Sequence, residues 1–230
     1  IVTITSKLVL SAYSPAGNLL TSTTITDADT QASALTAVKN AVWVSTVHCT
    51  GGNCGKNTII YDDKLSRTIS LTGAIVDLVA NGNRAYALTD TPNELRVIDI
   101  TDAAHPSIIS STPLSAMSLA YSNGTIYVLG SGLASYSEAS LTKTADILTA
   151  TSNPDEHIRI DGSCAIITGR DTSPQMFTLP QFVAATTFTT PAPAHTVAAQ
   201  PGTFFVLTDD SLEIWSTSPL PTPARKHVAR

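Results

Sequence analysis

Apolar positions along this chain come in short runs set off by turn residues, and they do not follow a helical spacing. One unit recurs: a turn carrying Asn, Asp or Gly, then an apolar run that often ends in Thr or Asp. Its copies are VKNAVWVST (38–46), ANGNRAYALTD (80–90), YSNGTIYVLGS (121–131), IDGSCAIITGRD (160–171) and QPGTFFVLTDD (200–210). With Asn40, Gly82, Gly124, Gly162 and Gly202 set equivalent, the steps are 42, 42, 38 and 40 residues. Each copy is followed by a third predicted strand (NTIIYDD, ELRVIDI, LASYSEA, PQMFTLP, SLEIWST) and a fourth (SRTISLT, PSIISSTPL, KTADILT, FVAATTFTT, RKHVAR). Another run precedes each turn: SALTAV, IVDLVA, MSLAY, HIRI and HTVAA. The pattern predicts four short antiparallel strands per unit, with Asn-Gly and Asp-Gly at hairpin turns. No amphipathic stretch of helical period competes with it.

A steady period of about 40 residues in an all-strand chain is the blade spacing of a β-propeller. Residues 10–26 align with 133–149, the second half of a unit. The predicted architecture is therefore one all-β propeller domain over 1–230. It has a partial N-terminal blade at about 1–29, lacking its innermost strand, and five full blades at about 30–73, 74–115, 116–153, 154–193 and 194–230. A propeller leaves no open edge when it closes. The partial blade is therefore expected to pair with a segment upstream of Ile1, in a larger ring such as seven blades, or with another chain.

Composition adds a compartment. Charged residues are 13% of the chain, about half the usual share, and Thr and Ser fill the gap, as in TSTTITDADT and ATTFTT. Such a surface suggests an exported protein, periplasmic or at the cell surface. The net charge is −5, the pI about 5.4, and no basic run exists, so nucleic acid and anionic membrane are not expected partners. No apolar run reaches the roughly 18–20 residues of a membrane span. The chain starts at Ile1 rather than Met, which suggests a processed or excised product.

Within residues 84–130 the text LRVIDITDAAHPSIISS resembles the bacterial LVIVD-type propeller repeat: a Leu-x-Val-Ile-Asp strand, an Asp-x-x-x-Pro turn, then a Ser-rich outer strand. The other units share its spacing. The resemblance implies an exported, often surface-attached scaffold without a common enzymatic activity, and it carries no catalytic residues with it.

Candidate chemistry is sparse. Cys49 and Cys54 flank Gly51 and Gly52 in TVHCTGGNCGKNT, between the second and third strands of the first full blade, with His48 beside them. A zinc site wants four ligands in short-spaced pairs, and no Cys-x-x-Cys is present. A disulfide stapling an exposed loop is the expected arrangement, within reach of cross-hairpin geometry. Free thiols and a metal are the lesser readings, and Cys164 is expected to be a small buried apolar residue. Asp90, Asp171, Asp209 and Asp210 follow second strands and form a possible cation-binding rim, although Asp in such places usually caps turns. Asp77, His157, Arg159 and His195, with Glu156 adjacent, fall at or near innermost strands and form a possible ligand site in a central channel. Only Trp43 and Trp215 are present, so the periodic tryptophans of quinoprotein dehydrogenases are not evident. Asn123-Gly124-Thr125 fits a glycosylation sequon, but the hairpin turn already accounts for it. No cofactor or resident metal is expected.

The function expected from these features is a non-catalytic exported propeller scaffold that binds a protein partner or a surface polymer. The alternative is an enzyme or redox-complex subunit with a small ligand or cofactor in the channel.

Overall fold

The computed structural model describes residues 2–4, 9–25, 30–50, 53–147, 157–161, 164–169, 172–179, 183–187, 194–200, 202–208 and 210–216. No helix occurs among them, and every element is a short strand. The strands form six antiparallel sheets, each built from consecutive strands in chain order. Sheet I holds β1 (Val2–Ile4), β2 (Val9–Tyr13) and β3 (Leu19–Thr24). Sheet II holds β4 (Thr30–Val38), β5 (Ala41–Thr50), β6 (Asn53–Tyr61) and β7 (Arg67–Thr72). Sheet III holds β8 (Ala74–Asn81), β9 (Arg84–Asp90), β10 (Glu94–Asp99) and β11 (Ser107–Pro113). Sheet IV holds β12 (Ser118–Ser122), β13 (Thr125–Leu129), β14 (Leu133–Ser137) and β15 (Lys143–Ile147). Sheet V holds β16 (His157–Asp161), β17 (Cys164–Gly169), β18 (Thr172–Thr178) and β19 (Val183–Thr187). Sheet VI holds β20 (Ala194–Gln200), β21 (Thr203–Thr208) and β22 (Leu212–Ser216).

The four-stranded sheets match the predicted units strand for strand. In sheet I, β2 and β3 take the places of β14 and β15 in the alignment. The described residues supply no innermost strand there. RKHVAR (225–230), the predicted fourth strand of sheet VI, lies outside the described residues.

The chain divides into two compact units, Ile1–Ser115 and Ala116–Arg230. In the first, alternation along each strand puts successive side chains on opposite faces. Val42, Val44, Ile59 and Tyr61 of sheet II pack with Leu10 and Ile25 of the sheet I region. Trp43, Ile60 and Ala41 point the other way, against Ile75, Ala85, Ala87 and Ile98 of sheet III. In the second unit, Ala120, Tyr127, Leu129 and Leu133 of sheet IV meet Ile158, Ala165, Ile167 and Phe177 of sheet V. The opposite face of sheet V, through Ile166 and Met176, packs on Val197, Phe204, Val206 and Trp215 of sheet VI. Sheets II and V thus bury both faces, through stretches such as AVWV (41–44) and AII (165–167) in which successive residues are all apolar.

The passage from sheet II to sheet III is one residue long. Gly73 sits between β7 and β8 with φ +89°, and its N–H donates to Lys56 O at 2.8 Å. An added Cβ would lie 3.4 Å from Asp90 O, so glycine answers both the backbone angle and the close approach.

Candidate functional site

The hairpin β5–β6 is the feature that sets one unit apart. Its strands run 10 and 9 residues, whereas second and third strands in sheets III to VI run 5 to 7. The ladder continues from Val42 opposite Tyr61 out to Thr50 opposite Asn53. Cys49 and Cys54 face each other in it, 4.0 Å apart at Cα, and are disulfide-bonded. The sequence reading placed both cysteines in a loop. They belong to strands, because Val47, His48 and Lys56 keep pairing beyond the common blade length, and β4 runs alongside with Thr30 opposite His48. The staple therefore locks a projecting ladder.

The base of this extension is anchored on sheet III. Lys56 Nζ forms an ion pair with the Asp90 carboxylate at the end of β9. That hydrogen bond, reinforced by the Thr91 hydroxyl at 2.9 Å, holds the Asp90 carboxyl below its ordinary pKa of 3.8. One member of the expected acidic rim is thus committed to a lysine. Asp210 is exposed beside β22, and Asp171 and Asp209 lie outside the described residues. Among the described residues no three His, Cys, Asp or Glu side chains gather as metal ligands would.

The innermost strands share a register that sequence alone did not expose. Ala34, Asp77, Ser118, His157 and Thr196 each pair with the fifth residue of the neighbouring strand. Asp77 and His157 are therefore equivalent positions, and Arg159 lies two residues further on the same face as His157. His195 is not equivalent. It occupies the bulge between Ala194 and Thr196, as Ser33 and Val76 do in sheets II and III. Asp77 Oδ1 accepts from the N–H of Leu78 at 2.9 Å, and Arg159 donates to Ile158 O at 2.7 Å. Asp77 falls in the first compact unit and the other three in the second. Glu156 lies outside the described residues. Cys164 is half-buried and packs beside the apolar cluster of sheets V and VI.

Several residues the sequence reading passed over knit sheets together. The Ser45 hydroxyl donates to Ile75 O at 3.0 Å and accepts from Ile75 N–H at 2.9 Å. Thr58 donates to Gly73 O at 3.0 Å, and Trp43 Nε1 donates to Ala103 O at 3.0 Å. Arg96 is 4% exposed in β10, where it donates to Glu94 at 2.7 Å and to Thr72 O of sheet II. At the matching register of β22 stands Glu213, 2% exposed. The only available signal was a charge at the third position of ELRVIDI and SLEIWST where the other units carry none, and it is a faint one. In the turn after β10, Asp102 accepts from Ala104 N–H at 3.0 Å and meets the His105 ring at 2.9 Å, which holds its carboxyl below 3.8. This is what the Asp of the Asp-x-x-x-Pro motif does.

No family model matches the chain, and no curated protein matches it. Solved structures do. A functionally unknown protein from Desulfotomaculum acetoxidans superposes with TM-score 0.72 at 15% identity, covering 99% of this chain and 78% of that one. A chain of a mitotic checkpoint complex superposes with TM-score 0.71 at 13% identity, covering 98% of this chain and 77% of that one. The fold is propeller-like. At these identities the likeness concerns the fold, and the propeller-like sheets supply a frame on which the β5–β6 hairpin is the distinguishing addition. No helix among the described residues is long and apolar enough to cross a membrane, which says nothing about strands.

Proposed function

We propose that this protein is a non-catalytic propeller scaffold that recognises a protein partner through the β5–β6 hairpin. The observation that carries this reading is the hairpin itself. It extends past the ladder length of the other sheets, is cross-linked by Cys49–Cys54, and is tied at its base by Lys56 to Asp90. Cross-linking and anchoring lower the ordering cost of binding, so a stiffened projection on a rigid frame suits recognition. The disulfide and the Ser/Thr-rich, charge-poor composition support an oxidising, extracytoplasmic setting. The LVIVD-like text at 84–130 supports the same location.

The blade count belongs to this proposal: five full blades and a partial one, within a seven-bladed ring. The period of about 40 residues supports it, since this chain spans 78% and 77% of two neighbours' lengths. The innermost place of sheet I is then a second point where another segment or chain adds a strand.

The test replaces residues 48–55 with a two-residue Asn-Gly turn. Native and trimmed proteins are immobilised and exposed to the envelope and secreted fractions of the source cells. A protein retained by the native form and lost by the trimmed one, with the melting temperature lowered no more than reduction of Cys49–Cys54 lowers it, is the expected result. Equal retention by both overturns the assignment to the hairpin.

A further inference from the structure

We propose that a cleft between sheets I and II binds an oxyanion group, either as a free ion or carried on a saccharide. The cleft has a volume of about 350 Å³, at the small end of ligand pockets. One wall is Ser22, Thr23 and Thr24 of β3. The other is the turn between β6 and β7, with Lys64, Ser66 and Arg67. Ile25, Tyr61 and Leu65 complete the lining and are all buried. Among the described residues both charged side chains in this lining are cations, and no carboxylate lines it, in a chain whose net charge is −5.

The turn is built rather than loose. Asp62 Oδ1 accepts from the N–H groups of Lys64 at 3.0 Å and Ser66 at 2.7 Å. Leu65 N–H donates to Asp62 O at 3.0 Å, and Asp62 N–H to Ser66 O at 3.0 Å. Leu65 itself is left-handed, with φ 61°, an uncommon state for a leucine. Its side chain is 4% exposed in the core shared by sheets I and II, which holds the backbone in place. Anchoring Leu65 inward leaves Lys64 and Ser66 on either side of it facing outward. Arg67 is oriented by donating to Ser70 Oγ at 2.9 Å.

The chemistry follows from the donors. Guanidinium and ammonium groups on one wall give charge-assisted hydrogen bonds to sulfate, phosphate or carboxylate oxygens. A row of hydroxyls opposite, above an apolar floor, adds partners for sugar hydroxyls. This site is separate from the β5–β6 hairpin, so trimming residues 48–55 leaves it intact and the two readings fail independently.

The experiment is a chemical-shift titration of the full chain at low ionic strength. The probes are sodium sulfate, a sulfated disaccharide and its unsulfated parent. Amide shifts are expected at 22–25 and 64–67. Lys64→Ala and Arg67→Ala are each expected to weaken sulfate-bearing probes about fivefold, a surface-charge effect. Lys143→Ala, on outer strand β15, is expected to change nothing. Binding of sulfate as tightly as of the sulfated sugar identifies a free-ion site, and loss of the saccharide preference in Thr24→Val identifies a sugar site. Shifts scattered over unrelated lysines, or unaltered affinity in both alanine variants, overturn the proposal.

Discussion

At the junction of sheets II and III, Trp43 and Ile60 press on Ala85, Ala87 and Ile98. At the junction of sheets V and VI, Ile166 and Met176 press on Val197, Phe204, Val206 and Trp215. The two junctions place equivalent residues at equivalent registers, yet their polar groups fare differently. Ser45, the fifth residue of β5, exchanges hydrogen bonds with both backbone groups of Ile75. Thr168, the fifth residue of β17, is fully buried and its hydroxyl has no partner among the described residues. Arg96 is satisfied by Glu94 and Thr72 O. Glu213, at the matching place, accepts from Trp215 Nε1 at 3.0 Å through Oε2, while Oε1 has no partner among the described residues. The first junction is a closed polar network set in an apolar contact. The second relies on packing and, among the described residues, carries two unsatisfied groups, each of which costs free energy to bury.

The sharpest test removes each buried charge in turn. Arg96→Met removes a buried cation and leaves Glu94 and Thr72 O without their donor. It is expected to cost about 3 kcal/mol, as breaking a buried pair does. Glu213→Gln keeps an acceptor for Trp215 and removes an unpartnered carboxylate oxygen. It is expected to leave stability unchanged or raise it by up to about 1 kcal/mol. Urea unfolding of both variants measures this, and equal losses would erase the distinction between the junctions.

A smaller effect of the same kind separates the hydroxyls. Ser45→Ala takes the side-chain donor from the C=O of Ile75 and leaves its N–H with the longer bond to Thr58 Oγ1 at 3.2 Å, and is expected to cost about 2 kcal/mol. Thr168→Val substitutes a methyl for a hydroxyl that makes no bond, and is expected to be neutral or mildly stabilising. Thermal denaturation of the pair decides it. A comparable loss in Thr168→Val would mean that a bound water or ligand satisfies that hydroxyl in solution.

These contrasts also explain what the chain disclosed before its structure was known. Strand placement was readable because each hairpin turn carries its own local chemistry, as at Asn123-Gly124, and because alternation is a property of neighbours in sequence. Sheet-to-sheet contacts are not local. Ser45 meets Ile75 thirty residues later, and Trp43 meets Ala103 sixty residues later. Nothing near Ser45 or Thr168 in the text indicates that one is satisfied and the other is not. The cysteine pairing was legible from the Gly-Gly between the two residues, but their place in strands was not. That depended on cross-strand pairs such as His48 with Gly55, whose pairing no propensity rule favours. Asp77, His157 and His195 looked alike until the bulge at His195 fixed the register. The cleft at Lys64 and Arg67 went unnoticed because its other wall, Ser22 to Thr24, lies some forty residues away.

The cross-link on the hairpin is expected to contribute at most about 2 kcal/mol, because the loop it closes is only five residues in span. Reduction should therefore lower the melting temperature modestly while leaving far-UV circular dichroism intact. Amide exchange should accelerate at 47–50 and 53–56 and not at the Ser45 end of the ladder. Global unfolding on reduction would instead place the staple in the same cooperative network as the II–III junction.

The smallest effect concerns the ion pair that anchors this hairpin. Lys56 and Asp90 have side chains 30% and 40% exposed, so solvent screens them and the pair is worth well under 1 kcal/mol at moderate salt. The folded Asp90 pKa is depressed, first by the Lys56 hydrogen bond and then by Thr91. Its contribution is therefore fully present above the unfolded value near 3.8 and is lost as pH falls through the lower folded value. Asp99 and Asp102 titrate in the same direction through turn hydrogen bonds led by Thr101 and His105, respectively. A difference measurement isolates Asp90: the stability gap between the native protein and Asp90→Asn should be small at pH 7 and close as pH falls through the depressed folded value. Exchange at Lys56 and Asn57 should respond to that substitution, while exchange at Ile75 should not. A gap that persists at low pH would mean that Asp90 acts by packing under Gly73 rather than by its charge, and that the hairpin is held by backbone pairing alone.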